Sequence, residues 1–270
     1  MVDAVQLAIL AAEEAGSRAG DETVLTAGQA FGWEFFGTAM LLLLGNGVCA
    51  LNALRTSGGK DTGWLLIAFG WGMAVFIGAS VADPSGGHLN PAVTLMTAIN
   101  GDTDWSLVPA YIAGQMLGAI CGAVLAWAAF KQLFDANNVN EHGEVTGANK
   151  STGGIFFTGP AHGDNVWNCV TEFIGTFVLL SFIAFGPGGT ELGALKYFAV
   201  AFVVVAIGMS LGSPTGYAIN PARDLGPRLA YAFILPIKDK GDANWAYAWV
   251  PIVAPMIAAT CVGFLALGIA

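Results

Sequence analysis

Charged residues are scarce in this sequence. They make up 11% of its 270 residues, whereas a soluble domain usually carries about 25%. Hydrophobic residues make up 55%, and several uncharged runs reach the roughly 20 residues that a helix needs to cross a bilayer. A soluble α/β protein with buried strands does not need runs of that length. The sequence therefore predicts an integral membrane protein.

Basic residues and paired cysteines are also in short supply. Ten Lys and Arg stand against nineteen Asp and Glu, and the net charge of −9 argues against nucleic acid as a partner. The four cysteines each lie alone in an apolar run without a CxxC pair, so we interpret them as small buried residues. They are Cys49, Cys121, Cys169 and Cys261. The spans hold no nucleophile–base pair or ligand cluster, and we expect no enzyme activity, cofactor or metal.

Six long apolar runs predict six membrane spans. Their approximate bounds are Trp33–Leu54, Gly63–Val81, Leu107–Phe130, Val166–Phe185, Leu195–Gly212 and Ala246–Ile269. Two shorter apolar pieces, near 90–99 and 220–235, each begin at Asn-Pro-Ala and are too short to cross a bilayer. The predicted fold is therefore an all-α membrane protein with six spanning helices and two re-entrant half-helices. Residues 1–27 are predicted to be a polar tail, and 28–270 a single domain.

The domain contains an internal repeat. "WEFFGTAMLLLLGNG" from Trp33 resembles "TEFIGTFVLLSFIAFG" from Thr171, and each copy is followed one span later by its own Asn-Pro-Ala. The unit is three spans and one half-span, about 28–130 and 166–270, joined by a loop over 131–165. Because three is odd, the second copy enters the membrane from the opposite side. Such an inverted repeat places its functional centre at the midplane between the copies.

The two Asn-Pro-Ala motifs predict half-helices whose N-termini meet at that midplane. Asparagine suits the N-cap and proline the first helical position. The motif residues are Asn90, Pro91, Ala92, Asn220, Pro221 and Ala222. Each N-terminus carries about half a positive charge, which repels cations, while the two asparagine amides can donate hydrogen bonds to one passing oxygen.

The segment before each half-helix is predicted to be extended, because a proline disfavours helix in the residue before it. Extended backbone presents a row of carbonyl acceptors along one wall, and glycines allow close approach. The expected carbonyls belong to Gly86, Gly87, His88, Gly216, Tyr217 and Ala218.

Glu34 and Glu172 are carboxylates inside apolar spans and need an explanation. One interpretation is a proton relay. The other is that each accepts hydrogen bonds from the free N–H groups of its half-helix loop. The pair follows the repeat symmetry, which favours the structural role.

These features together resemble the major intrinsic proteins, the aquaporins and glycerol facilitators. The resemblance rests on "SGGHLNPAVT" at 85–94, "TGYAINPARD" at 215–224 and the duplicated Glu-Phe-x-Gly-Thr, and it covers roughly residues 30–269. It implies a passive channel in the plasma (inner) membrane, a homotetramer with one pore per subunit, and cytoplasmic termini.

The distribution of basic residues disagrees with that orientation. The positive-inside rule expects more Lys and Arg on the cytoplasmic side. The side that holds the termini carries Arg18 and Lys196, and the other side carries Arg55, Lys60, Lys131, Lys150, Lys238 and Lys240. We follow the resemblance and expect both termini in the cytoplasm.

Residues around the motifs resemble the glycerol-facilitator pattern within the family. They are Asp224, Arg228, Pro251 and Ile252. Asp224 and Arg228 stand at i and i+4, a spacing that allows an ion pair. By the same resemblance the constriction comprises Trp71, Gly208, Tyr217 and Arg223. Water-selective members carry a histidine where Gly208 falls. The alternative for Trp71 is a tryptophan of the interfacial belt.

The leading prediction is a channel for glycerol and other small neutral solutes, with some water, that excludes ions and protons. Within the same class, the alternatives are a water-selective aquaporin and a channel for protonated small acids such as lactic acid. A structural membrane protein with a vestigial pore is disfavoured by the intact motif residues. An ion channel is disfavoured by the positive midplane and the lack of an acidic ring.

Overall fold

A computed structural model describes residues 25–187 and 192–269 of the chain. Within these ranges the regular structure is helical, apart from one antiparallel bridge between Val139 and Val145. Residues 1–24, most of the predicted polar tail, lie outside the described ranges. Thr26 caps the first helix, because its side chain accepts a hydrogen bond from the Gln29 backbone N–H and the Gln29 side chain accepts one from the Thr26 N–H.

The prediction of six spans and two half-helices is confirmed. In chain order the helices are α1 (Ala27–Ala53), α2 (Trp64–Val81), α3 (Pro91–Asn100), α4 (Val108–Ala129), α5 (Asn165–Phe185), α6 (Lys196–Leu211), α7 (Pro221–Leu229) and α8 (Val250–Ile269). Five of them are at least 18 residues long and apolar enough to cross a membrane. The 16-residue α6 follows directly on a 3₁₀ turn, Gly193–Leu195, which lengthens it.

Short elements complete the chain between these helices. They are the helices Lys131–Asn137 and Gly153–Phe156, the 3₁₀ turns Asp83–Ser85 and Ala148–Ser151, and the π-helical turn Ala230–Ile234 that extends α7. Two predicted span ends were wrong. The first span starts at Ala27 rather than Trp33, because the Thr26 cap sets its N-terminus. The last starts at Val250 rather than Ala246, because residues 245–249 form a turn.

The helices pack in two equivalent sets. In the first copy α1 contacts α2 and α4, and in the second α5 contacts α6 and α8. Each half-helix packs on the last helix of the other copy, α3 on α8 and α7 on α4, and α2 meets α6 between the copies. This exchange is the arrangement of an inverted repeat. It brings the N-termini of α3 and α7 together in the centre of the molecule.

A glycine stripe on α4 lets α1 approach closely. A Cβ added at Gly114 would lie 2.5 Å from the carbonyl oxygen of Phe31, and one at Gly118 or Gly122 would overlap α1 carbonyl oxygens in the same way. This GxxxGxxxG pattern therefore serves helix packing within the chain.

The helices expose apolar side chains, and several polar side chains are buried within the largely apolar interior. Side chains such as Leu65 (57% exposed) and Leu117 (50%) point outward, while Glu34, Gln115 and Glu172 are fully buried. This distribution suits a chain that spans a bilayer several times. The expectation that all four cysteines are buried was wrong: Cys49 is buried, but Cys261 is exposed and the other two are half-buried. A lipid-facing position accepts an apolar thiol without burial in protein.

Candidate functional site

The N-termini of the two half-helices are tied to each other by their N-cap asparagines. Asn90 Nδ2 donates to the carbonyl oxygen of Ile219, and Asn220 Nδ2 donates to that of Leu89, both at 2.8 Å. The Asn90 Oδ1 atom accepts from the Ala92 N–H at 2.9 Å, and Asn220 caps α7 in the same way. A primary amide has two N–H donors, so each asparagine retains one for another acceptor.

The loops that precede the half-helices are held by the two buried carboxylates. Glu34 accepts hydrogen bonds from the His88 N–H (3.0 Å) and the Leu89 N–H (2.7 Å). Glu172 accepts from the Ala218 N–H (2.9 Å) and the Ile219 N–H (2.8 Å).

Glu34 has two further donors. They are the Ser85 hydroxyl and the Gln115 amide, each at 2.7 Å. Neither Glu34 nor Glu172 is among the described residues that line the two cavities next to the half-helices. This geometry favours loop support over a proton relay.

The prediction that these loops are extended was wrong. Asn90 and Asn220 have extended backbone, but φ is positive at Gly87 (62°) and Leu89 (52°), with His88 between them on the negative side. Backbone that alternates in this way points successive N–H groups at one anion, here the Glu34 carboxylate. Ile219 (φ 42°) also has a left-handed backbone, and its N–H points to the Glu172 carboxylate. A left-handed isoleucine is rare, and such strain persists where several contacts enforce it.

The carbonyl row predicted along one wall is divided between two cavities. Gly86, Gly87, His88 and Ala218 line one cavity, and Gly216 lines the other. Across residues 25–187 and 192–269, no protein donor reaches the carbonyl oxygens of these five residues or of Tyr217. Those oxygens are free to accept hydrogen bonds from a solute.

The two cavities extend toward opposite sides of the molecule and share three lining residues. The termini-side cavity, about 220 Å³, runs past the asparagine pair toward the side where α1 begins and α8 ends. The loop-side cavity, about 410 Å³, opens toward the 131–164 loop. Trp71, Tyr217 and Arg223 line both cavities. A path between the cavities therefore passes these three side chains.

The four residues predicted for the constriction lie together. The Arg223 guanidinium carbon is 4.0 Å from the centroid of the Trp71 ring, close enough for a cation–π contact. A Cβ added at Gly208 would lie 2.8 Å from Tyr217 Cζ, so Gly208 packs directly against the tyrosine ring. Trp71 is 4% exposed, which excludes a lipid-facing belt position. Arg223 Nη1 donates to the Phe156 carbonyl at 3.3 Å.

Asp224, which directly follows Arg223 on α7, forms a fully buried ion pair with Arg228. The Asp224 Oδ1 atom accepts from Arg228 Nη2 at 2.6 Å and from Nε at 2.9 Å. The Thr158 N–H (2.8 Å) and hydroxyl (2.7 Å) donate to Asp224 Oδ2. Arg228 also donates to the Ala243 carbonyl at 2.5 Å. The pair thus joins α7 to two loops on the loop side.

Pro251 and Ile252 lie away from both cavities. They occupy the first turn of α8, where Pro251 is buried and Ile252 is half-buried. Neither of these two residues is among the described residues that line the cavities.

The sequence reasoning missed Trp64, which lines the loop-side cavity next to Gly208 and Tyr217. It precedes Trp71 by two helical turns on the same helix. That i, i+7 spacing places both on one face and could have pointed to it.

It also missed a cluster at the mouth of the termini-side cavity, just beyond the end of α2. Asp83 accepts from the Tyr197 hydroxyl at 2.8 Å and pairs with Lys196 at 2.7 Å. The hydrogen bond from Lys196 holds the pKa of the Asp83 carboxyl below its usual value.

Comparisons with known proteins agree with this geometry. The family described as "Major intrinsic protein" matches residues 23–266. The chain is 46% identical over 230 residues to the glycerol uptake facilitator protein of Bacillus subtilis (strain 168), covering 84% of this chain and 80% of the relative. It is 42% identical over 227 residues to aquaglyceroporin-3 of Trypanosoma brucei brucei, covering 83% and 72%.

A solved structure gives the same result. The X-ray structure of the aquaglyceroporin from Plasmodium falciparum superposes with a TM-score of 0.74 at 29% identity, over 89% of this chain and 95% of that chain. The family match spans both half-helices, both buried carboxylates and the four residues predicted for the constriction. The chain belongs to the major intrinsic protein family.

Proposed function

We propose that this protein is a passive channel for glycerol and other small neutral solutes, with some water. The observation that carries the proposal is the constriction. Trp71 and Tyr217 offer apolar faces, Arg223 offers planar N–H donors, and Gly208 contributes no side chain to the gap. A polyol has a carbon edge and a hydroxyl edge, and it matches such a slot in both respects.

Charge along the path supports the exclusion of ions and protons. Arg223 is the one charged side chain among the described residues that line the two cavities. The two half-helix N-termini add positive potential at the asparagine pair. A cation therefore meets repulsion with no anionic ring to offset it, and no charge network is present there to couple transport to a second ion.

Each polar group along the path has a proposed part. The free N–H groups of Asn90 and Asn220 donate to a solute oxygen at the centre, and the free carbonyls accept from its hydroxyls. Glu34 and Glu172 hold the loops in position. The names of the relatives, glycerol uptake facilitator and aquaglyceroporin, support glycerol as the solute.

We further propose a homotetramer in the plasma (inner) membrane with both termini in the cytoplasm. Six spans place the two termini on the same side, and the family supports the cytoplasmic side. The excess of Lys and Arg on the loop side opposes it. A protease-cleavable tag on the C-terminus of the protein distinguishes the two orientations in intact cells. Protease added outside the cells removes the tag only if the termini face outward.

The function is tested with purified protein in liposomes. Vesicles are mixed with a hyperosmotic solute, and light scattering follows their shrinkage and re-swelling. We expect rapid re-swelling in glycerol and none in sorbitol, with empty liposomes as the control. Fast shrinkage without glycerol re-swelling would replace the proposal with a water-selective pore. Re-swelling confined to lactic acid at acidic pH would replace it with an acid channel.

A further inference from the structure

We propose that Trp64 is a positioning residue for solute selectivity, which sets the width of the constriction by holding the Tyr217 ring in place. The inference rests on the proposed function, because it assigns the size limit of the same pore. Trp64 lines the loop-side cavity at the outer edge of the constriction and is 42% exposed.

The indole ring of Trp64 is fixed to the end of α6. Its Nε1 donates a hydrogen bond of 2.7 Å to the carbonyl oxygen of Gly208. Because α6 ends at Leu211, this carbonyl belongs to the last turn, where carbonyls lack helical partners. The hydrogen bond satisfies that carbonyl and fixes the orientation of the indole.

From that position the indole packs edge-on against Tyr217. The two ring centroids lie 5.9 Å apart at an interplanar angle of 71°, the edge-to-face geometry that aromatic pairs prefer. Gly208 in α6 and Gly212 directly after it also pack against the tyrosine ring. A Cβ at Gly212 would lie 2.6 Å from Trp64 Cζ2 and 2.7 Å from Tyr217 Cδ1, and one at Gly208 would also overlap the tyrosine ring. The Tyr217 ring is therefore in contact with Gly208, Gly212 and Trp64.

Other interactions hold Tyr217 weakly. Its backbone has φ of 40°, in the left-handed region that disfavours a bulky side chain. Its hydroxyl is buried, and within the described residues no hydrogen-bond partner reaches it. Neither the backbone preference nor the hydroxyl fixes the ring, so its position depends on the faces that pack against it.

A first test removes that hydroxyl. We expect Tyr217→Phe to raise the midpoint of thermal unfolding slightly, because a buried hydroxyl without a partner is a cost that phenylalanine lacks. A clearly lower midpoint would show that the hydroxyl has a partner that helps to fix the ring.

The main test compares Trp64→Ala with Trp33→Ala in liposomes. Trp33 has a similar exposure, 39%, but lines neither cavity. The measurement is the ratio of erythritol to glycerol permeability, which does not depend on how much protein is inserted. We expect Trp64→Ala to raise this ratio about three- to tenfold, the size of one lost aromatic edge contact, and Trp33→Ala to leave it unchanged.

Two further variants keep the test decisive. Trp64→Phe keeps an apolar ring without the indole N–H, and we expect it to raise the erythritol-to-glycerol ratio less than Trp64→Ala does. This variant still tests the inference if Trp64→Ala does not fold. Adding Tyr217→Ala to Trp64→Ala should raise the ratio no further than Tyr217→Ala alone, since both act through one ring. An unchanged ratio in folded Trp64 variants would overturn the inference, whereas a wild-type protein that does not conduct glycerol would overturn the proposed function instead.

Discussion

We expect most of the Asp224→Ala variant to lose its folded state in detergent solution. Asp224 and Arg228 are both fully buried, and the aspartate is the one carboxylate that pairs with this guanidinium among the described residues. Removing one partner of a buried ion pair leaves an uncompensated charge and costs about 3–5 kcal/mol. The free energy of unfolding of a native protein is only about 5–15 kcal/mol, so a loss of this size removes a large part of it. Size-exclusion chromatography and thermal unfolding of the purified variant measure the loss.

The chain contains a matched control for this prediction. Lys131 and Asp135 form an ion pair with the same i, i+4 spacing, but their side chains are 43% and 61% exposed. Surface pairs of this kind contribute about 0–1 kcal/mol, so Asp135→Ala should leave the unfolding midpoint nearly unchanged. Equal stability of the Asp224 and Asp135 variants would contradict the assigned role of the buried pair.

The buried Asp224–Arg228 pair anchors α7 to its neighbouring loops. Asp224 accepts from Thr158 and Arg228 donates to Ala243, so the pair joins α7 to the loop before α5 and the loop before α8. Arg223 lies directly before Asp224 on α7 and donates to Phe156. The same contacts that anchor the half-helix therefore also fix the guanidinium that lines the constriction.

Much of this fold could be predicted from the sequence because the bilayer imposes a length rule. A run of about 20 uncharged residues has few folded states in lipid other than a spanning helix. The two Asn-Pro-Ala pieces are too short for that rule and carry N-cap signals, which identified α3 and α7 as half-helices. The predicted ends were wrong where a local cap or turn sets the boundary, as at Thr26.

The loop conformation and the surroundings of the constriction could not be predicted in the same way. Leu89 and Ile219 adopt a left-handed backbone that their own side chains disfavour, and the cause is a carboxylate more than 45 residues away in the chain. The contact between Trp64 and Gly208 likewise spans 144 residues. Local propensity and periodicity carry no information about such pairs, which appear only once the helices are packed.

Gly208→His is expected to abolish most glycerol flux and to retain water flux. A Cβ at this position would already lie 2.8 Å from Tyr217 Cζ and 3.0 Å from its hydroxyl oxygen, so an imidazole cannot fit behind the ring. Either the histidine projects into the slot or it displaces the Tyr217 ring away from α6, and we expect both to narrow the gap. Each roughly 1.4 kcal/mol added to a barrier lowers a rate tenfold, so steric crowding of this degree should reduce glycerol permeability by about tenfold or more. Water, which is smaller than the carbon chain, should lose much less.

The control for this substitution is Gly154→His, which places the same side chain in the loop-side cavity. Gly154 lines that cavity, and a Cβ added there meets no atom within 4 Å. Both variants are reconstituted, and shrinkage and glycerol re-swelling are recorded on the same vesicles. The ratio of glycerol to water permeability should fall in Gly208→His and stay near the wild-type value in Gly154→His. If Gly208→His folds and loses water and glycerol equally, the pore is closed rather than narrowed, and the size limit lies at another point along the path.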